Sequence, residues 1–245
     1  MNKNLLSKEY WSIRMSRIAI IPARGGSKRI PWKNIKDFFG KPLISYSIEV
    51  AESSGLFDNI IVSTDSEEIA NIAQKYGACV PFLRPAELAD DFAITVDVMA
   101  HAVHWLQGNL GELSVVCCIY ATAPFICKDD LIRAYDIFKT NRWSYVFSAT
   151  SYPFPIQRSL KRLDEGGVGM FYPELVETRS QDLEEAYHDA GQFYFGKPKA
   201  WLNKQKVFGN HSEIIILPRW RVQDIDNEQD WRNAELIMET ITNRK

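Results

Sequence analysis

Ile18-Ala-Ile-Ile-Pro-Ala-Arg-Gly-Gly-Ser-Lys-Arg-Ile-Pro-Trp-Lys-Asn-Ile35 begins as a short apolar run and breaks into a basic loop. Residues 18 to 21 have the continuous apolar character of a strand buried on both faces of a parallel sheet. In the loop, Gly25 and Gly26 allow a sharp turn and a close backbone approach, while Arg24, Lys28, Arg29 and Lys33 crowd four cations together. Backbone amides in such a loop can point at phosphate oxygens, and the side chains can neutralise charge that develops as a phosphoryl bond breaks. A plain solvated basic turn is the alternative, but such a turn needs no buried strand to deliver it. The carboxyl edge of a parallel strand is where open α/β sheets bind ligands. The loop has neither the spacing of a Walker A loop nor that of a dinucleotide-binding turn, so it indicates another nucleotide chemistry.

Working outward, an alternation of strand and helix surrounds this stretch. A helix is expected after Gly40-Lys41-Pro42 with an apolar face as far as Ser54, then a buried strand from residues 59 to 65 and a helix over 67 to 76 that stops at Gly77. A short strand over 79 to 83 leads to the loop Arg84-Pro-Ala-Glu-Leu-Ala-Asp-Asp91, which could lie over a ligand. In the competing reading, Asp90 and Asp91 begin and cap a helix over 95 to 107. Residues 113 to 120 are the most apolar run and the expected central strand, followed by a loop to Phe125, a helix from Asp129 to about residue 140 and a strand over 145 to 149. This βα alternation implies an α/β, doubly wound, mostly parallel sheet.

The pattern lapses between residues 151 and 187, where Pro153, Pro155, Pro173 and the Gly166-Gly167 pair interrupt any period. An excursion of roughly 35 residues inside a compact domain usually has a purpose. It is expected to be a small dimerisation lobe that closes over the site, with Phe154, Leu160, Met170, Phe171 and Tyr172 available to bury. Strands are expected again over 191 to 195 and 213 to 217, with a helical turn between them and a last helix over 228 to 243. Just before that helix, Val222-Gln-Asp-Ile-Asp226 in extended form would project Asp224 and Asp226 on one side with Ile225 in the core. Two such carboxylates make a magnesium site beside a phosphate ligand, or else they cap the helix, a role Asn227 could also fill.

The whole-chain numbers are those of an ordinary globular protein: 245 residues, 46% hydrophobic and 24% charged. A net charge of -2 with a pI near 6.1 gives no global attraction to nucleic acid or anionic membrane, so any anion site must be local. No apolar run approaches the roughly 18 residues of a membrane span, and the N-terminus lacks a signal-peptide core, so a cytoplasmic location is expected. Residues 1 to 16 read as an appendage to one domain over 17 to 245, and Met15 is a plausible domain start. Cys79, Cys117, Cys118 and Cys127 have no paired spacing and are expected to be buried free thiols. The four histidines, His101, His104, His188 and His211, have no metal-ligand spacing.

Two distant parts of the chain together resemble one family. Residues 20 to 28 with Pro31 and Lys33-Asn34, the Arg84-Pro-Ala-Glu-Leu-Ala89 segment and Asp224-Ile-Asp226 are similar to the signatures of the CMP-sialic acid synthetases, cytidylyltransferases that activate acidic nine-carbon sugars. The resemblance covers about residues 15 to 243 and implies a Rossmann-like nucleotidyltransferase fold. Within the family, Ile119-Tyr-Ala-Thr-Ala-Pro-Phe125, Thr178-Arg-Ser-Gln-Asp182 and Tyr187-His-Asp-Ala-Gly-Gln-Phe193 are most similar to the pseudaminic acid branch. Tyr120 stands where sialic-acid enzymes typically have Gln, and His188-Asp189-Ala190 where they have Arg-Pro-Asn, so the sugar side of the pocket differs. Trp32 occupies a position where that branch leads one to expect a basic residue. The segment Gln-Gly-Asp-Glu-Pro of enzymes for the eight-carbon acid Kdo is absent.

The resemblance implies that CTP and a nonulosonic acid give a CMP-sugar and pyrophosphate, for surface glycan or flagellin glycosylation. Arg24, Lys28 and Lys33 would then serve the triphosphate as catalytic groups, with Ala23, Gly25, Asn34, Arg84 and Thr95 on the nucleotide. On the sugar side it suggests Tyr120, Thr122, Arg179, Gln181, His188, Asp189 and Gln192, with Arg179 taking the sugar carboxylate. Asp224 and Asp226 would hold Mg2+, with Mn2+ a tolerated substitute, and the chain would work as a homodimer. Three alternatives share the fold: a CMP-sialic or CMP-legionaminic acid synthetase, a nucleotidyltransferase for a sugar phosphate, and a CTP sensor without turnover.

Overall fold

The structure, a computed structural model, describes residues 16–243, so the expected appendage lies outside the described residues apart from Ser16, which opens the first strand. β1 (Ser16–Pro22) runs into the basic loop and a minimal hairpin, β2 (Asp37–Phe38) and β3 (Lys41–Pro42), before α1 (Leu43–Ser53). β4 (Asn59–Ser63), α2 (Glu67–Lys75), α3 (Thr95–Leu110), β5 (Leu113–Ile119), α4 (Lys128–Phe138) and β6 (Tyr145–Ser151) follow. An excursion bearing the hairpin β7 (Leu160–Arg162) and β8 (Val168–Met170) leads back through β9 (Tyr187–Gly196), α5 (Pro198–Leu202), β10 (Ser212–Ile216) and α6 (Glu228–Thr242).

Six strands form one sheet in the order β10-β6-β9-β5-β1-β4. Five of them are parallel, and β9 alone runs against its neighbours β5 and β6. β1 shows why a continuous apolar run suits the centre. Ile18 and Ile20 are buried in the core beneath α3 and α5, whereas Ala19 and Ile21 are buried in the core beneath α1, α2 and α4. The helices begin where their sequences say they should. Ser66 accepts the Ile69 amide at the start of α2, with Glu67 and Glu68 in the first turn and Lys75 in the last.

Several expectations need correcting. Residues 79 to 83 form only isolated bridges, Ile61 with Cys79 and Thr64 with Leu83, because Pro81 has no amide to donate to a ladder. Neither Asp90 nor Asp91 caps α3, whose N-cap position is held by Ile94. β9 begins at Tyr187 rather than 191, which brings His188 and Asp189 into the sheet. Cys117 and Cys118 are buried, but Cys127 is exposed. Among the described residues no helix is long and apolar enough to cross a membrane.

From β1 the chain moves first to β4 on one side and later to β5 on the other. The carboxyl ends of β1 and β5 therefore flank a topological switch point, the place where open sheets leave a crevice. A third apolar cluster closes one end of that crevice. Ile30 of the basic loop, Phe38, Leu43, Phe125, Ile225, Trp231 and Ala234 are buried together, so the loop after β1 and the segment before α6 share one core.

Candidate active site

A cavity of about 510 Å³ opens at the β1/β5 switch point, floored by Pro22 from β1 and by Tyr120 and Ala121 after β5. Arg24, Lys28, Arg29, Lys33 and Arg84 line it, against the two carboxylates Asp91 and Asp226. The cavity is thus a cationic site in a chain whose net charge is -2.

The basic loop is held from below by polar contacts. The buried Asn34 donates from Nδ2 to the Arg24 carbonyl at 2.9 Å, and the Gly25 amide donates to Asp65 Oδ1 at 2.9 Å. Space at Gly25 is tight: a Cβ there would lie 3.2 Å from the Ser66 Cβ. Neither Gly25 nor Gly26 has a positive φ, and the left-handed residue of the loop is Trp32, with φ 55°. Trp32 is half exposed, does not line the cavity, and its carbonyl accepts the Ile35 and Lys36 amides.

Three cations differ in how they are held. Arg84 is buried, 3.7 Å from Asp65 Oδ1, yet its Nε and Nη2 donate to no partner. Burial lowers its pKa; Asp65 opposes the shift and Arg24 adds to it. A buried guanidinium with idle donors at a cavity wall is set for an acceptor-rich ligand. Lys33 is mostly buried, and burial lowers its pKa despite the nearby Asp226 and Asp224. Its ammonium donates to the Ile225 carbonyl and lies 3.6 Å from Asp226 Oδ1. Arg24 is occupied by the acidic loop, with Nη1 2.7 Å from the Asp90 carbonyl and 2.8 Å from Asp91 Oδ1. Asp91 Oδ2 also reaches Lys28 at 2.5 Å, and Lys28 and Arg24 hold the Asp91 carboxyl below its usual range.

The carboxylate pair comes from the other end of the chain. Ile225 is fully buried, which anchors the segment between its two flanking aspartates. The cap of α6 falls to Asn227, in a capping box with Asp230, so neither Asp224 nor Asp226 is spent on capping. Asp226 reaches the basic loop, with Oδ1 2.9 Å from Arg29 Nη2, whereas Asp224 stands just outside the cavity lining. Burial raises the Asp224 pKa, and the negative charge of Asp226 raises it further. Two mutually repelling carboxylates are hard oxygen donors of the kind magnesium takes, with phosphate oxygens and water left to complete its shell. Among the described residues no three His, Cys, Asp or Glu side chains converge, so any metal here would depend on its ligand.

On the remaining wall, Tyr120 and Thr122 line the cavity with Thr95. The Tyr120 hydroxyl lies 3.0 Å from Thr95 Oγ1, and burial pushes its pKa up to about 12. Ser47 and Gln192 fix the Tyr120 backbone: Ser47 Oγ donates to its carbonyl, and its amide donates to the Gln192 carbonyl.

Nine of the expected residues thus meet in one place, namely Arg24, Lys28, Lys33, Asn34, Arg84, Thr95, Tyr120, Thr122 and Asp226. The others stand elsewhere. Ala23 is buried beneath the loop, and Gln192 is buried with Nε2 donating to the Arg221 carbonyl. His188 stacks edge-on against Tyr152, and both oxygens of Asp189 are engaged within β9. Arg179 is exposed and paired with Asp182 at 2.6 Å, and Gln181 lines a separate surface pocket in the excursion. Sequence alone gave no role to Ser27 or Asp65, counted Arg29 only among the four loop cations, and took Asp91 only as a loop carboxylate or helix cap. Ser27 and Arg29 lay within the quoted loop, and Asp65 ends a strand at the ligand-binding edge, so position alone was the available signal.

Comparison with known proteins gives the family and the fold. The family described as Cytidylyltransferase matches residues 18–206. A pseudaminic acid cytidylyltransferase from Campylobacter jejuni is 50% identical over 223 residues, 91% of this chain and 96% of that protein. A CMP-N,N'-diacetyllegionaminic acid synthase from Legionella pneumophila is 34% identical, covering 92% of this chain and 97% of its own length. Among solved structures, a CMP:2-keto-3-deoxy-manno-octonic acid synthetase in complex with CTP shares the fold, with a TM-score of 0.66 and 14% identity over 92% of this chain and 100% of that one.

Proposed function

The chain belongs to the cytidylyltransferase family, and from that premise we propose that it is a pseudaminic acid cytidylyltransferase, converting CTP and pseudaminic acid to CMP-pseudaminic acid and pyrophosphate. The CMP-sugar is then a donor for surface glycan or flagellin glycosylation. The observation that carries the reading is the convergence of the loop after β1 with Asp226 over one cationic cavity at the switch point.

In the reaction the anomeric hydroxyl oxygen bonds to the α-phosphorus, the bond from that phosphorus to the bridging oxygen breaks, and the hydroxyl proton is released. The chain forms no covalent bond to substrate, so its residues position and neutralise. Arg24 and Lys28 bind the β- and γ-phosphates, exchanging Asp91 for phosphate oxygens. Lys33, fixed by the Ile225 carbonyl, faces the α-phosphate and the leaving pyrophosphate. Arg84 offers its idle donors to the nucleotide beside Thr95, while Asn34 acts by bracing the loop. Asp224 and Asp226 are the residues that would hold a divalent ion. When bound, such an ion neutralises phosphate charge and lowers the pKa of a coordinated hydroxyl.

Tyr120 and Thr122 stand on the sugar side. Arg179, Gln181 and His188 lie away from this cavity, and a second copy of the chain, docked through the excursion, would bring Arg179 to a sugar carboxylate. The reading therefore includes a homodimer.

Pyrophosphate release is the test. The protein with magnesium, each nucleoside triphosphate and a panel of pseudaminic, legionaminic and sialic acids and sugar phosphates should release pyrophosphate with CTP and pseudaminic acid. Comparable efficiency with UTP or with a sugar phosphate would remove the family reaction, and comparable efficiency with sialic acid would remove the sugar assignment.

A further inference from the structure

Five cations line the cavity, and the proposed reaction uses four of them, Arg24, Lys28, Lys33 and Arg84, on the nucleotide. Arg29 is left. Its place follows from its neighbours in the chain. Ile30 and Ile225 are both fully buried in the core that joins the basic loop to the segment before α6. Arg29, which precedes the one, and Asp226, which follows the other, meet at the cavity with Arg29 Nη2 2.9 Å from Asp226 Oδ1. The Lys33 ammonium lies 3.6 Å from the same oxygen. The loop cations thus fall into two groups. Arg24 and Lys28 hold Asp91, while Arg29 and Lys33 hold Asp226.

The chemistry of the acceptor decides what the second group meets. In a ulosonic acid the anomeric carbon carries both the attacking hydroxyl and the carboxylate, so a single carbon separates them. Once that hydroxyl is set against the α-phosphate beside Lys33, the carboxylate enters the same corner, next to the α-phosphate and Asp226. Anions crowded there repel one another, and the carboxylate needs a cation of its own. Lys33 is committed, since its ammonium is mostly buried and donates to the Ile225 carbonyl. Arg29 is free to turn: its side chain is 66% exposed, and Asp226 keeps Lys33 when Arg29 leaves. An arginine also suits the group, because its planar fork can give two parallel hydrogen bonds to a carboxylate.

We propose that Arg29 binds the carboxylate of the acceptor sugar from within the same chain, leaving Asp226 to do so. The inference rests on the proposed reaction. It gives the carboxylate a guanidinium that one chain already places at the cavity. Arg179, brought by a second copy, would add to that contact rather than replace it.

The test uses the full chain with MgCTP and pseudaminic acid and measures kcat, both KM values and the melting temperature. It also measures inhibition by the methyl ester of the sugar, which keeps the hydroxyls and lacks the charge. Arg29→Gln should raise the KM for the sugar by about 10- to 100-fold, the scale of charge-assisted hydrogen bonds, with the KM for CTP within about twofold. Arg29→Lys keeps the charge without the fork and should fall between the parent and Arg29→Gln. The parent should bind the acid better than the ester, and Arg29→Gln should lose about 10-fold or more of that preference, because the residue and the charge act on each other. The melting temperature should stay unchanged, since an ion pair this exposed is weak. A rise in the KM for CTP as large as that for the sugar would assign Arg29 to a phosphate and overturn the inference. Unchanged kinetics, an intact preference for the acid, or a collapsed melting temperature would also overturn it while leaving the reaction intact. Failure of the parent protein to turn over pseudaminic acid would overturn the reading beneath it, and the inference with it.

Discussion

Arg84 shows how a single residue can be costly to the fold and yet aimed at the site. Its buried Nε and Nη2 have no acceptor, which is a penalty in the absence of ligand. Arg84→Met should therefore hold or raise the melting temperature, while kcat/KM for CTP falls by about 10- to 100-fold, the value of charge-assisted hydrogen bonds. A lowered melting temperature with normal kinetics would mean the arginine is structural. Asp91 is the opposite case, a surface carboxylate on two cations that the proposed function gives to a triphosphate. Asp91→Asn should tighten CTP binding by roughly 2- to 10-fold, the range for exposed ion pairs, in a calorimetric titration at low salt. Weaker binding by that variant would show that Asp91 supports the nucleotide instead. At this scale the sequence was half legible. Arg24, Lys28 and Arg84 could be read because several cations near strand ends suggest an anion. Asp65 and Asp91 could not, because contacts between distant residues, Asp65 with the Gly25 amide and Asp91 with Arg24, are set by the fold.

At the scale of elements, apolar runs gave the buried strands, apolar periodicity the helices and the βα alternation the mostly parallel sheet, while register and the reversed direction of β9 were beyond reach. Nothing in residues 187 to 196 says that β9 is antiparallel, since a strand buried on both faces reads the same in either direction. The irregularity in β9 opposite Ser148 was equally hidden, because it depends on which residue of β6 it meets. The segment before α6 was more legible: alternation put Ile225 inward and the two aspartates outward, as observed. Asn227 and Asp230 take the cap, so capping does not account for the two aspartates. Asn227→Ala should accordingly cost about 1 kcal/mol in denaturant unfolding. Gly196 sits where a Cβ would come 2.3 Å from Trp201 Nε1 and 2.7 Å from Tyr145 Cε1. Gly196→Ala should then destabilise by about 1 to 3 kcal/mol, and a melting temperature equal to the parent's would contradict that packing.

The whole molecule is one sheet with a crevice at its switch point and an excursion beside it. In the excursion the chain leaves Phe154, Leu160, Phe171 and Tyr172 exposed, which is unusual for apolar groups so close together in sequence. The sequence singled out this segment by its lapse of period, but what covers its exposed apolar groups has no signature in one chain. On the reading given above, light scattering at micromolar concentration should report a dimer, and a fully active monomer would remove the shared-site idea. The central claim is that the two ends of the chain form one phosphate-transfer site, joined by the core of Ile30, Phe38, Ile225 and Trp231. Asp226→Asn tests it most directly, because Asn227 and Asp230 keep the cap and the fold should be unaffected. With MgCTP and pseudaminic acid, kcat should fall by about 10² to 10³ at an unchanged melting temperature. Normal turnover by the well-folded variant would contradict the account.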